Sequence, residues 1–223
     1  MLLQETFDWY CEFKPNNLRE QQINKLIGEI EDNFDFDEII CIETGASQDW
    51  KDGCIGAFFA KMCEETKGNF YSVDISKDMV ENSKKLYQKI GLNNTHHFVQ
   101  DSVEFLKSTE IIPNIVHLDS SDLNLKNPIP CAIHAWDEFC AIENKMPVGS
   151  LIIVDDNYFN GTWVNWKDQR DNEEWERITI NYPIIGKGTI IYHRIESGKY
   201  NWEKISNDII GINDKLVFKK VKE

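Results

Sequence analysis

The sequence is short of positive charge: 24 lysines and arginines face 38 aspartates and glutamates, for a formal net charge of −14. A surface this acidic repels phosphate backbones and argues against a nucleic-acid partner. No apolar run reaches membrane-spanning length, which argues against a membrane partner. The opening MLLQETFDWYCEF lacks the basic start and long apolar stretch of a signal peptide. A cytoplasmic protein is therefore expected, in which the Asn-x-Thr triplets at Asn93 and Asn160 carry no glycan. None of the six cysteines (Cys11, Cys41, Cys54, Cys63, Cys131 and Cys140) forms a CxxC pair, so buried free thiols are expected and a zinc site is not. Repeats and low-complexity segments are also missing. So are three closely spaced glycines after a strand, the arrangement that brings a dinucleotide's pyrophosphate to backbone N–H groups.

What is there is ordinary in bulk: 223 residues, 41% hydrophobic and 28% charged, enough for one globular domain with at most a small appendage. Its organising stretch is EIICIETGAS, residues 38–47. Ile39, Ile40, Cys41 and Ile42 form a wholly apolar run, the pattern of a strand buried on both faces of a parallel sheet. Glu43 stands at its tip and Gly45 permits a tight turn. Phe70-Tyr71-Ser72-Val73 repeats the pattern and ends in Asp74. Two buried strands tipped with acids outline a nucleotide crevice at the carboxyl ends of a sheet. Ser47, Asp49 and Asp52 follow Gly45, so the loop gathers negative charge where a phosphate needs the opposite. S-adenosylmethionine has no phosphate and carries a sulfonium and an ammonium, which such acids attract; Asp74 can accept its ribose hydroxyls.

The segments Glu43-Thr44-Gly45-Ala46-Ser47, Val73-Asp74-Ile75-Ser76 and Val99-Gln100-Asp101-Ser102 resemble, in order, the first three motifs of class I S-adenosylmethionine-dependent methyltransferases. The similarity continues through His117-Leu118-Asp119 and the Asp155-Asp156 pair to Gly186-Lys187-Gly188-Thr189-Ile190, and spans roughly residues 38–195. It implies a doubly wound, Rossmann-like α/β fold of about seven strands, mostly parallel, with helices on both faces and an antiparallel strand near the C-terminus. Residues 1–36 form an N-terminal helical segment, which either packs on the sheet or lids the cofactor, and residues 37–223 form the methyltransferase domain. The cofactor-binding residues implied are Glu43, Gly45, Ser47, Asp74, Ile75, Asp101, Ser102 and Asp119. Asp101 can equally cap the helix that follows it.

Asp119, Asp155 and Asp156 sit at the tips of two adjacent strands. Three crowded carboxylates repel unless a cation lies among them, and all-oxygen ligands suit Mg²⁺ or another divalent ion. This resembles the metal-dependent O-methyltransferases of the catechol and caffeoyl-coenzyme A type, with Asn157 as a substitute ligand. That family commonly places a general-base lysine three residues after the first Asp; here the position is Asp122, so Asp119 and Asp122 are the candidate catalytic residues. The adjacent His96 and His97 point to opposite faces and are expected to be structural. His117, within a strand, and His134, on a helix, are no better as bases.

Residues 158–175 lack regular periodicity and carry Tyr158, Phe159, Trp163, Trp166 and Trp175 around Gly161, so they either pave an acceptor pocket or fold back onto the domain. Residues 177–181 and 188–194 read as strands finishing the sheet. The expected function is methyl transfer from S-adenosylmethionine to an oxygen of a small hydroxylated molecule, metal-assisted, in a chain that could form a homo-oligomer. The alternatives are metal-free N- or carboxyl-methylation, a nicotinamide-dependent oxidoreductase, and a non-catalytic binding module.

Overall fold

The apolar runs around residues 40, 71, 116 and 152 become neighbouring strands of one sheet in the computed structural model, which describes residues 2–13, 17–33, 37–47, 54–167, 175–206 and 214–223. Helices α1 (Leu2–Cys11) and α2 (Asn17–Asn33) precede β1 (Ile40–Thr44). Then α3 (Ile55–Glu65), β2 (Asn69–Asp74), α4 (Lys77–Lys89), β3 (Thr95–Val99), α5 (Ser102–Ser108), β4 (Ile115–Leu118), α6 (Ile129–Ile142) and β5 (Leu151–Phe159) alternate. The chain continues through β6 (Trp163–Trp166), β7 (Glu176–Thr179), β8 (Ile184–Gly186), α7 (Thr189–Glu196), β9 (Trp202–Lys204) and β10 (Asp214–Lys220).

The main sheet has eight strands in the order β3-β2-β1-β4-β5-β10-β9, with β8 also paired to β5. The first five are mutually parallel. β10 is antiparallel to both of its neighbours, and β8 is antiparallel to β5. Strand order reverses between β1 and β4, so a crevice opens there beyond the carboxyl ends. Alternate residues feed the two faces. Cys41, Ile153 and Val217 pack with Tyr10, Leu26, Phe58 and Tyr87 on one side. Ile42, Ile152 and Phe218 pack with Phe105, Phe139 and Ile191 on the other.

Two expectations are corrected. Residues 189–196 are helical, because Ile191 and Ile195, one turn apart, bury together. Residues 176–179 pair with β6 in a separate two-stranded sheet. The antiparallel edge is supplied instead by β9 and β10, in the C-terminal tail.

Tyr10, Ile23, Leu26 and Ile30 of the first two helices are buried in the core, so the N-terminal segment covers one face of the sheet. Phe7, Trp9, Tyr10 and Phe13, the aromatics with which this segment could lid a cofactor, line neither cavity described below. The loop 48–53, including Trp50, lies outside the described residues, as do Pro15 and Phe34.

β8 fits against β5 because Gly186 carries no side chain: a Cβ there would stand 2.0 Å from the Asp156 carbonyl oxygen, at a φ of +145°. Gly186→Ala should therefore cost about 1–3 kcal/mol, the range for overpacking. A lower urea midpoint with unchanged slope checks this.

Candidate active site

The crevice begins with two loops tied together. Gly45 turns at φ 84° and packs so closely that a Cβ would lie 2.5 Å from the Asp119 carbonyl oxygen. Asp74 Oδ2 accepts the Ala46 N–H at 2.9 Å and Oδ1 accepts the Ser76 N–H at 2.7 Å. One carboxylate thus holds the tips of β1 and β2 in register. Around it lie two adjoining cavities sharing Gly45, Asp74 and Ser120, of about 420 Å³ and about 180 Å³.

The larger cavity contains Ser47, Asp119, Asp122, Asp155 and Asp156, and the smaller contains Ile75, Asp101 and Ser102. Every expected site residue but one is therefore brought to the crevice. The exception is Glu43, which is fully buried and lines neither cavity. It accepts the Ser47 hydroxyl at 3.0 Å and the Ser72 hydroxyl at 3.4 Å, so it shapes the loop from beneath. Asp101 does both things expected of it: it caps α5 by accepting the Glu104 N–H at 3.0 Å, and it borders the smaller cavity. Ser102 hydrogen-bonds His134 Nε2 at 3.0 Å. His134 Nε2 also lies 3.5 Å from Glu138 Oε1, which accepts the Ser120 hydroxyl at 2.7 Å. The Glu138 interaction outweighs burial and raises the His134 pKa above its ordinary value.

The acids at the tip of β4 and in the middle of β5, which runs on past the expected end at Val154, do have cations among them, and the chain supplies them. The Lys187 ammonium bonds Asp119 Oδ1 and lies 2.9 Å from Asp156 Oδ2. Lys215 pairs with Asp155 Oδ2, both groups buried. The backbone is built to deliver these contacts. β10 skips register opposite β5 between Asp214 and Leu216, and Asp156 adopts φ 56° there, so the strand tip bulges and both acids turn toward the lysines. Asn157, wholly buried, accepts the Gly188 N–H at 2.8 Å and fixes the chain just beyond Lys187.

Burial favours the neutral form of Lys187, but Asp119, Asp156 and Asp155 outweigh it and hold the pKa well above the ordinary lysine value. Burial pushes the Asp119 carboxyl up to about 7; Lys187 opposes the shift, while Asp155 and Asp156 reinforce it. His117, buried in β4, lies 3.5 Å from Glu43 and 3.8 Å from Asp155 without bonding either, and burial lowers its pKa.

The metal expectation finds no support in these pairings. One ligand atom each from His117, Asp119 and Asp155 falls within 4.8 Å of the others, yet Asp119, Asp155 and Asp156 each already hold an ammonium. A divalent ion would have to share those oxygens with a positive charge at close range, so the residues do not fit it. Asp122 sits exposed at the cavity rim.

Lys187 lies within the Gly186–Ile190 motif and Lys215 in the C-terminal tail, and neither is marked by its neighbours in sequence as the partner of a strand-end acid. The signal was the crowding of acids itself, which demands positive charge from somewhere. The aromatic segment also proved more regular than expected. β6 and β7 form a hairpin in which the Arg177 guanidinium lies 4.0 Å over the Trp163 ring on the exposed face. Lys126 reaches Glu176 at 3.1 Å and lies 5.8 Å from the Trp166 ring, linking the hairpin to the loop that carries Asp122.

No protein-family model matches the sequence, and no curated protein does. Solved structures share its fold. An rRNA methylase from Streptococcus thermophilus is similar at TM-score 0.54 and 11% identity, over 90% of this chain and 97% of that one. An S-adenosylmethionine-dependent methyltransferase from Clostridium acetobutylicum is similar at 0.50 and 15%, over 89% and 90%. A methyltransferase from Geobacter sulfurreducens is similar at 0.53 and 12%, over 99% and 88%. The fold is that of the class I S-adenosylmethionine-dependent methyltransferases. Among the described residues no helix is long and apolar enough to cross a membrane.

Two outcomes follow from this geometry. Lys215→Met strands the buried Asp155 carboxylate and should cost about 3–5 kcal/mol, whereas the double variant with Asp155→Asn should recover much of it; chemical denaturation measures both. The raised His134 pKa contributes stability that is full below the unfolded value of about 6.5 and is lost as pH climbs through the higher folded value. His134→Gln should flatten that part of the stability–pH curve.

Proposed function

We propose that the protein transfers a methyl group from S-adenosylmethionine to a small-molecule acceptor, with Asp119 receiving the acceptor's proton. The observation that carries this reading is the two-part crevice at the strand-order reversal, lined by an excess of carboxylates. The smaller cavity, with Asp101, Ser102 and His134, suits the adenine end. Asp74 suits the ribose, since each of its oxygens retains a lone pair beyond the backbone N–H it already accepts. The larger cavity, with Ser47 and the strand-tip acids, suits the cationic methionine end. Lys187 and Lys215 neutralise only part of the charge on Glu43, Asp119, Asp155 and Asp156, so the remainder attracts a sulfonium.

When bound, S-adenosylmethionine supplies an electrophilic methyl carbon whose bond to sulfur breaks, with the electron pair staying on sulfur, as the acceptor's lone pair attacks. The chain's part is to orient the acceptor and take its proton. Asp119 borders the cavity and has a carboxyl pKa raised toward neutrality, which suits a general base at physiological pH. Asp122, at the rim, is placed to contact the acceptor rather than the reacting centre. A divalent ion forms no part of the proposal.

A small acceptor is favoured over RNA because a strand would bring its phosphates against a net charge of −14.

Isothermal calorimetry tests this directly. S-adenosylmethionine and S-adenosylhomocysteine should bind while NAD should not. Asp74→Asn should weaken cofactor binding by about 1.5–3 kcal/mol, the range for hydrogen bonds to a charged group. Failure of the parent to bind either sulfur compound overturns the reading.

A further inference from the structure

We propose that Lys187 is the catalytic cation of this site: it occupies the position among the strand-tip acids that a divalent ion would take, and donates to the nucleophilic oxygen of a hydroxyl acceptor. This rests on the methyl-transfer reading and adds the substrate class and the residue that selects it.

The placement carries the inference. Lys187 is 2% exposed yet lines the larger cavity. One of its three N–H donors bonds Asp119 Oδ1, and Asp156 Oδ2 lies 2.9 Å away as an ion pair. The ammonium has no other partner among the described residues. The ammonium is also held from behind: the Lys187 N–H donates to the Asp156 carbonyl at 3.3 Å, and the next residue is fixed by Asn157. A donor so positioned does not have to reorganise when charge develops on an acceptor atom.

The donor also discriminates between nucleophiles. A hydroxyl oxygen has two lone pairs, so it can accept from Lys187 with one and attack the methyl carbon with the other. An amine nitrogen has one lone pair and cannot do both. A carboxylate or phosphate acceptor would meet the uncompensated charge of the acids around it. A neutral hydroxyl satisfies all the groups: its oxygen faces Lys187, its proton passes to Asp119, and the oxygen–carbon bond forms as the carbon–sulfur bond breaks.

The position is tested without knowing the acceptor, by thermal unfolding of the intact protein with Mn²⁺ as the probe. The parent's melting temperature should not respond to millimolar Mn²⁺. Lys187→Met removes the ammonium and opens its place beside Asp119 and Asp156 to the ion. The variant should therefore melt lower than the parent in chelator and rise by about 5–10 °C at a Mn²⁺ concentration near a hundredfold above its dissociation constant. Adding Asp156→Asn to Lys187→Met should abolish that rise, and Lys187→Arg should remain insensitive. If Lys187→Met does not fold, Lys187→Gln, which keeps a hydrogen-bond donor without the charge, takes its place. A parent that Mn²⁺ stabilises as strongly as the variant would overturn the proposal, as would a folded neutral variant that ignores the ion. No S-adenosylmethionine is needed, so failure of the cofactor to bind would sink the methyl-transfer reading while leaving the Mn²⁺ result to judge Lys187.

Discussion

Carboxylates cannot be gathered at adjoining strand tips inside a protein without a compensating charge, and the rest of this structure follows from how that charge is provided. Burying an isolated carboxylate is far costlier than burying one held in an ion pair. Here Lys215 arrives from β10 on one side of β5 and Lys187 from the end of β8. Both approaches demand unusual backbone. β5 and β10 slip register, Asp156 takes a left-handed conformation, and Gly186 lets β8 press against the bulge. These irregularities sit together where β5 leaves the regular sheet, which is where a bulge can re-aim side chains that strict alternation would point elsewhere.

The compensation is incomplete by design of the site. Two ammoniums face four acids at the ends of β1, β4 and β5, and His117 between Glu43 and Asp155 is biased toward its neutral form by burial. The floor of the crevice therefore stays electronegative, while Asp74 and Gly45 keep its walls in place through backbone contacts. Such a floor suits a cationic ligand better than a polyphosphate.

Much of this was legible in the chain. The core strands announce themselves because a strand buried on both faces must be apolar at every position, as Ile39 to Ile42 are. The tips are legible because Asp74, Asp101 and Asp119 interrupt that apolarity where the sheet ends. The less legible parts each have a physical cause. Ile190, Ile191 and Tyr192 are β-branched or aromatic, which suggests a strand, yet Ile191 and Ile195, one turn apart, bury together and hold a helix against the sheet. β10 was obscured by lysines that alternation would place at a surface, whereas Lys215 is buried against Asp155. Glu43 looked like a cofactor contact because it ends β1; local periodicity does not reveal that Ser47, Ser72 and His117 enclose it. A partner distant in sequence is the feature least visible in a single chain.

The hairpin of β6 and β7 is hydrogen-bonded within itself and contributes no strand to the eight-stranded sheet. Substitutions at Trp163, Asn165, Arg177 or Thr179 therefore need not disturb the register of β5, β8 and β10. A two-stranded appendage of this kind can be remodelled while the charge-compensated strand ends keep their geometry.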